Sequence, residues 1–141
     1  MSLYVVDASV AAKWFVPELH TEAALCLLDG AHELLAPDLL VAETGNIVWK
    51  KFRRGEITQA EGRRILKALK VAPVKLEPSG PLLEPAFEIA SGVGRTVYDS
   101  LYLALAVLRE CRMVTADRKF FDALRKGPFG PNLAWVEGLT P

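Results

Sequence analysis

Asp7, Glu43, Asp99 and Asp117 are four acids at strand-end or core-facing positions. Asp7 directly follows the apolar run Leu3-Tyr4-Val5-Val6, and Asp117 follows the β-type run Arg112 to Thr115, so each stands at a strand end, where helix capping is a sufficient account. Glu43 shares a helical face with Leu40 and Ile47, with Leu39 and Val48 alongside, and so interrupts an inward stripe. Asp99 lies between Tyr98 and Leu101 at the start of an otherwise apolar helix, where an unpaired charge is costly to bury; the preceding Thr96 is the better cap. Four isolated acids would need four separate partners, whereas one cluster around divalent cations accounts for all of them. An incomplete shell of hard oxygen ligands suits Mg²⁺ or Mn²⁺, which keep waters and accept phosphate oxygens, and such ions activate water and stabilise the leaving oxyanion in phosphodiester cleavage.

Other chemistries find little support. Cys26 and Cys111 lie far apart in apolar runs with no C-x-x-C spacing, and are expected to be buried, reduced thiols. His20 and His32 make no zinc pattern and are expected at surface or helix-end positions. There is no G-x-S-x-G, and Gly92-Val93-Gly94 lacks both the third glycine of a dinucleotide loop and the G-K-[ST] of a P-loop.

The elements that must position the acids follow from pattern and punctuation. Leu3 to Val6 reads as a strand and Asp7-Ala8-Ser9 as the cap of a helix beginning near Val10. A helix from Thr21 to Leu28 stops at Asp29-Gly30, and Glu33 to Ala36 is a second strand. Pro37 then opens a long helix reaching Arg54, with Gly55 as its stop. Thr58 and Glu61 form a capping box for a helix to about Lys70, with Ile65, Leu66 and Leu69 inward, so the two helices make a hairpin. Val74 to Glu77 is a third strand, Leu82 to Ala90 a helix, and Thr96 to Glu110 a helix apolar nearly all round, hence buried. Arg112 to Thr115, a helical turn or two from Lys119 to Leu124, and a last strand at Ala134 to Val136 complete the chain. Short strands alternating with helices indicate an α/β domain with a mainly parallel sheet covered on both faces, whose site lies at the carboxyl ends of the strands near a topological switch point.

The chain has 141 residues, 51% of them hydrophobic and 24% charged, which describes one globular domain, residues 1–141, able to bury a core without staples. The longest apolar stretch, Leu101 to Leu108, is too short to span a bilayer, and the start has no signal-peptide pattern, so a cytoplasmic location away from membranes is expected. Basic and acidic residues balance at 17 each, yet nine basic residues between Lys50 and Lys75 face only Glu56 and Glu61. That run taken alone fits a pair of solvated helices first and a polyanion site second, with Arg53, Arg54, Arg63 and Arg64 as the RNA-binding candidates.

Val5-Val6-Asp7-Ala8-Ser9, Ala42-Glu43, Tyr98-Asp99-Ser100-Leu101 and Val114-Thr115-Ala116-Asp117, in that order and spacing, closely resemble the PIN-domain ribonucleases, and within them the VapC-type toxins of toxin–antitoxin pairs. The resemblance covers essentially the whole chain. It implies a three-layer α/β/α sandwich with a mainly parallel five-stranded sheet, endonucleolytic RNA cleavage dependent on Mg²⁺ or Mn²⁺, a homodimer and a cognate antitoxin. Carried over by position, it makes Asp7, Glu43, Asp99 and Asp117 the catalytic and metal-binding acids, with Ser9 and Thr115 as supporting polar residues. Two alternatives from other classes are a phosphatase of the haloacid-dehalogenase type, which would carry a second Asp where Ser9 stands, and a catalytically silent RNA-binding PIN-like module.

Overall fold

A computed structural model describes residues 2–139. Five strands, β1 (Ser2–Val6), β2 (His32–Pro37), β3 (Val74–Glu77), β4 (Arg112–Thr115) and β5 (Leu133–Trp135), form one sheet in the order β3-β2-β1-β4-β5. Every pairing is parallel; Val5 pairs with Leu35 on one side and with Met113 on the other. The helices are α1 (Ala8–Ala11), α2 (Thr21–Leu25), α3 (Leu39–Arg53), α4 (Gln59–Lys70), α5 (Leu83–Val93), α6 (Val97–Leu108) and α7 (Arg118–Leu124). The chain winds outward from β1 to β3 and then returns to β4 on the other side of β1. With right-handed crossovers, that reversal places α1 to α4 over one face and α5 and α6 over the other, which is the three-layer α/β/α arrangement. It also makes the β1/β4 boundary the topological switch point.

The core follows from composition. Val5, Val6, Met113 and Val114 of the two central strands are fully buried, as parallel strands covered on both faces require. Leu101 to Ala106 of α6 are buried against them. The basic hairpin forms as its caps dictate: Thr58 accepts from the Glu61 amide at 3.1 Å while Glu61 accepts from the Thr58 amide at 2.8 Å. Gly94 ends α5 with φ of 72°, a left-handed conformation in which a side chain would be strained.

Several local expectations need correction. Pro37 closes β2 and Asp38 precedes the first turn of α3, because Pro37 lies in register with Glu77 of β3 and the sheet, rather than the helix, claims it. The helix from Thr21 tightens into a 3₁₀ turn at Cys26–Leu28. Leu66 is exposed rather than inward, and α6 surfaces at both ends, where Tyr98, Val107 and Leu108 are exposed. Cys26 is exposed, since the short α2 turns only Ala24 fully inward; Cys111 is half-buried. His20 precedes α2, but His32 lies within β2, edge-on to Tyr4.

Burial along α6 makes a paired prediction. Leu103→Ala, at a fully buried position, should lower unfolding free energy by about 2–5 kcal/mol, whereas Leu108→Ala, largely exposed, should change it by roughly 0.5 kcal/mol or less. Urea denaturation of both variants is the check, and similar losses would contradict this placement of the core.

Candidate active site

Asp7 leaves the carboxyl end of β1 and caps α1. Its Oδ1 accepts from the Val10 amide at 3.1 Å and from the Ser9 hydroxyl at 2.6 Å, and its Oδ2 accepts from the Thr115 hydroxyl at 2.6 Å. Both hydroxyls are themselves held by the chain leaving β4: Ser9 Oγ accepts from the Ala116 amide and Thr115 Oγ1 from the Asp117 amide, each at 3.1 Å. The ends of β1 and β4 are therefore laced together through one carboxylate. Burial pushes the Asp7 carboxyl up to about 6 despite these three hydrogen bonds, and the charge of Asp117 adds to the rise.

Asp117 caps α7, accepting from the Phe120 amide at 3.1 Å. Asp99 stands in the first turn of α6, its amide donating to Thr96 Oγ1 at 3.1 Å. Burial raises the Asp99 carboxyl; Asp117 raises it further, while the Thr96 hydrogen bond and the charge of Arg95 oppose the rise. Glu43, half-buried on α3, accepts from the Tyr102 hydroxyl at 2.6 Å. Burial raises its carboxyl against that hydrogen bond, with the charge of Asp99 adding to it. Charge coupling thus runs from Asp7 through Asp117 and Asp99 to Glu43, and the structure brings these four together where the sequence has them 110 positions apart from first to last. Among the described residues, no basic side chain forms an ion pair with any of the four.

Two residues of this site were not singled out from sequence. Tyr102 is 1% exposed, and its phenol is driven up by burial, by its hydrogen bond to Glu43, and by the charges of Glu43, Asp7 and Asp99. Its only sequence signal is a hydroxyl three residues after Asp99, hence on the same helical face. Arg95, which donates to the Lys119 carbonyl at 2.9 Å, is the basic group that lowers Asp99.

As placed, no three His, Cys, Asp or Glu side chains among the described residues close on a common point as an ion would require. Asp7 is engaged by three donors and Glu43 by Tyr102, which leaves each carboxylate a lone pair for a cation while these hydrogen bonds persist. The donor set nevertheless fits a hard divalent cation: it is all oxygen, forms no ion pair among the described residues, and three of its members, Asp7, Glu43 and Asp99, have carboxyls raised by burial and by the charge of a neighbouring acid.

The candidate arginines lie on the α3–α4 hairpin, and of the four Arg54 shares a cavity with a residue that contacts one of the acids, Ser9. Arg53 is 5.8 Å from the Trp49 ring, and Arg54 stands 4.0 Å from Glu56. Arg63 and Arg64 line two different grooves, one beside Trp49 and Phe52 and the other beside Phe15 and Pro17. Lys51, counted from sequence in the same basic run, is buried and paired with Glu18. Arg118 stacks 3.9 Å over Trp135 and stands 3.6 Å from the exposed Asp122.

A family model described as PIN domain matches residues 4–126. The chain belongs to the PIN-domain family. A PIN-domain relative, "Ribonuclease VapC3" of Pyrobaculum aerophilum, is 37% identical over 120 residues, covering 84% of this chain and 92% of its own. Among solved structures, PAE2754 from Pyrobaculum aerophilum superposes with a TM-score of 0.72 at 26% identity, covering 96% of this chain and 90% of that one. A chain from a toxin–antitoxin complex of Klebsiella pneumoniae shares the PIN fold at a TM-score of 0.64 and 14% identity, with 99% and 100% covered.

The raised Asp7 carboxyl fixes a pH dependence. Because its folded value, about 6, lies above the unfolded value of 3.8, the folded protein binds the proton more tightly, and stability falls as pH rises between the two values. The metal-free wild type should lose on the order of 3 kcal/mol through Asp7 over that window, with no further loss above it. Asp7→Asn should remove this contribution and raise the metal-free melting temperature at neutral pH. The check is the difference between the two proteins' melting temperatures at pH 4 and pH 7; a difference that does not change with pH would contradict it.

Proposed function

We propose that this PIN domain is a metal-dependent endoribonuclease that hydrolyses RNA phosphodiester bonds, acting as the toxin of a toxin–antitoxin pair, with Mg²⁺ or Mn²⁺ held by Asp7, Glu43, Asp99 and Asp117. The observation that supports this reading is that Asp7, Glu43 and Asp99 each sense the charge of another acid of the set, Asp117 included, while none of the four forms an ion pair among the described residues. The ribonuclease name of the 37% identical relative supports the activity, and the toxin–antitoxin neighbour supports a cognate antitoxin. Apolar side chains left exposed on α3 and α5, Trp49, Phe52, Leu83 and Phe87, support protein partners, including a second copy in a homodimer. We read residues 1–141 as a single domain, of which residues 1, 140 and 141 lie outside the described residues, and place it in the cytoplasm; no described helix is long and apolar enough to cross a membrane.

When bound, a divalent cation supplies positive charge to the scissile phosphate and the leaving 3′ oxygen and acidifies an attacking water. The chain's own residues prepare the site for that charge. Ser9 and Thr115 orient Asp7 and hold the β1 and β4 ends at fixed separation. Tyr102 keeps its proton and acts as a donor, fixing the rotamer of Glu43. Thr96 sets the first turn of α6 and with it the direction of Asp99. A phosphatase reading would need Asp7 as a free nucleophile with a second acid two residues on; both Asp7 oxygens are engaged, and the residue two on is Ser9, one of the donors. The silent-module reading offers no reason to keep four unpaired acids together.

Cleavage of a structured RNA should stop with excess chelator and return with Mg²⁺ or Mn²⁺. Asp99→Asn should lower kcat by at least about a hundredfold with an unchanged circular dichroism spectrum, since an amide is nearly isosteric but a poor ligand for a hard cation. Full turnover in chelator would refute the metal reading, and full activity of Asp99→Asn would remove that residue from it.

A further inference from the structure

Beside the carboxylates lies a second charged group of opposite sign. Lys13, just after α1, and Lys51, in the last turn of α3, have side chains only 11% and 10% exposed, and both donate to one carboxylate, Lys13 Nζ to Glu18 Oε1 at 3.0 Å and Lys51 Nζ to Glu18 Oε2 at 2.8 Å. Burial pushes the Glu18 carboxyl up, but the hydrogen bonds and charges of Lys51 and Lys13 outweigh it and hold it below its ordinary range. With Lys50, Arg54 and Ser9 these residues line a cavity of about 270 Å³. Ser9 is also a donor to Asp7, so the cavity begins one side chain away from the carboxylate cluster.

The charge in this cavity does not balance. Four basic side chains face one acid, and two ammonium groups share that acid in a largely buried position. Tying the segment after α1 to α3 would need only one lysine on Glu18; a second buried ammonium adds desolvation cost without a partner of its own. Arg54 approaches Glu56 only at 4.0 Å on the exposed rim, which leaves the surplus in place. An anion entering the cavity would neutralise that surplus. No aromatic side chain lines it, so it offers no stacking platform for a base, and its ammonium and guanidinium donors match phosphate oxygens.

We propose that this cavity binds one backbone phosphodiester of the RNA next to the scissile linkage, with Lys50 and Arg54 as its exposed donors and the Lys13–Glu18–Lys51 group as its fixed wall. The assignment rests on the ribonuclease reading above. It makes the cavity the point that sets which linkage reaches the acids, since a phosphate held here fixes the neighbouring one over Asp7.

The test uses single-stranded RNA substrates carrying one uncharged methylphosphonate linkage, moved stepwise along the strand on either side of the cleavage site. kcat/KM is measured for wild type, Lys50→Gln and Lys50→Arg; Lys50 is exposed, so neither substitution disturbs the core. At one flanking linkage the methylphosphonate should lower wild-type kcat/KM about tenfold, and Lys50→Gln should lower it to a similar extent on unmodified RNA. The two changes together should cost no more than either alone, Lys50→Arg should retain the wild-type pattern, and Lys50→Gln should flatten the salt dependence by about 0.7 in log–log slope. Effects that multiply at every linkage, with wild type cleaving unmodified RNA normally, would overturn the subsite alone and leave the cavity to free phosphate or to an acidic side chain of a protein partner. Failure of wild type to cleave unmodified RNA at all would instead overturn the ribonuclease reading and the subsite with it.

Discussion

Burial of neighbouring carboxylates without an ion-pair partner is the constraint around which this structure is arranged. Asp7, Glu43 and Asp99 all have their carboxyls raised, burial being the largest cause in each, and each also responds to the charge of another acid in the group. A fold that only had to be stable would neutralise such groups with lysine or arginine, as it does for Glu18 and Asp122 elsewhere in the chain. Here the cost is carried by the rest of the domain, whose core is large enough to sustain it.

The frame that sustains it is simple. A strand order of β3-β2-β1-β4-β5 leaves the ends of β1 and β4 side by side, and right-handed crossovers send their following helices to opposite faces, the place where open α/β sheets bind ligands. The Ser9 and Thr115 hydroxyls then close the gap between those ends, each donating to Asp7 and accepting from a backbone amide beyond β4. The helices α3 and α6 deliver Glu43 and Asp99 from outside the sheet, and Tyr102 joins them by its hydrogen bond to Glu43. On the other side of Ser9, a surplus of positive charge faces the acids' surplus of negative charge. Opposite surpluses side by side suit a polyanion that must reach a cation-loaded cluster.

Much of this was legible in the sequence because the signals were local. The five strands and the capping box at Thr58 and Glu61 are short-range patterns, and the structure carries them, whereas the buried stripe of α3 runs through Leu40, Thr44, Val48 and Lys51 and leaves Glu43 half-buried on its flank. The errors arose where tertiary contacts outweighed local preference. Pro37 would open a helix in isolation, but pairing of β2 with β3 extends the strand through it. Leu66 and Leu108 look inward by composition, yet Leu66 lies in the open groove between α3 and α4 and Leu108 at the exposed end of α6. Lys51 reads as one more cation of a solvated run, although Glu18, 33 positions earlier, draws it into the interior. The Tyr102 bond to Glu43 spans 59 positions, and no spacing rule reaches that far.

If the four acids act as one cation site rather than as separate caps and surface charges, neutralising any one of them must weaken cation binding. Calorimetric titration of Mn²⁺ into the metal-free protein, repeated for Asp7→Asn, Glu43→Gln, Asp99→Asn and Asp117→Asn and for the surface control Asp122→Asn, tests it directly. The account predicts that each of the four weakens binding by about tenfold or more while the control binds as wild type does. Unchanged Mn²⁺ affinity in all four, or a loss as large in Asp122→Asn, would contradict it.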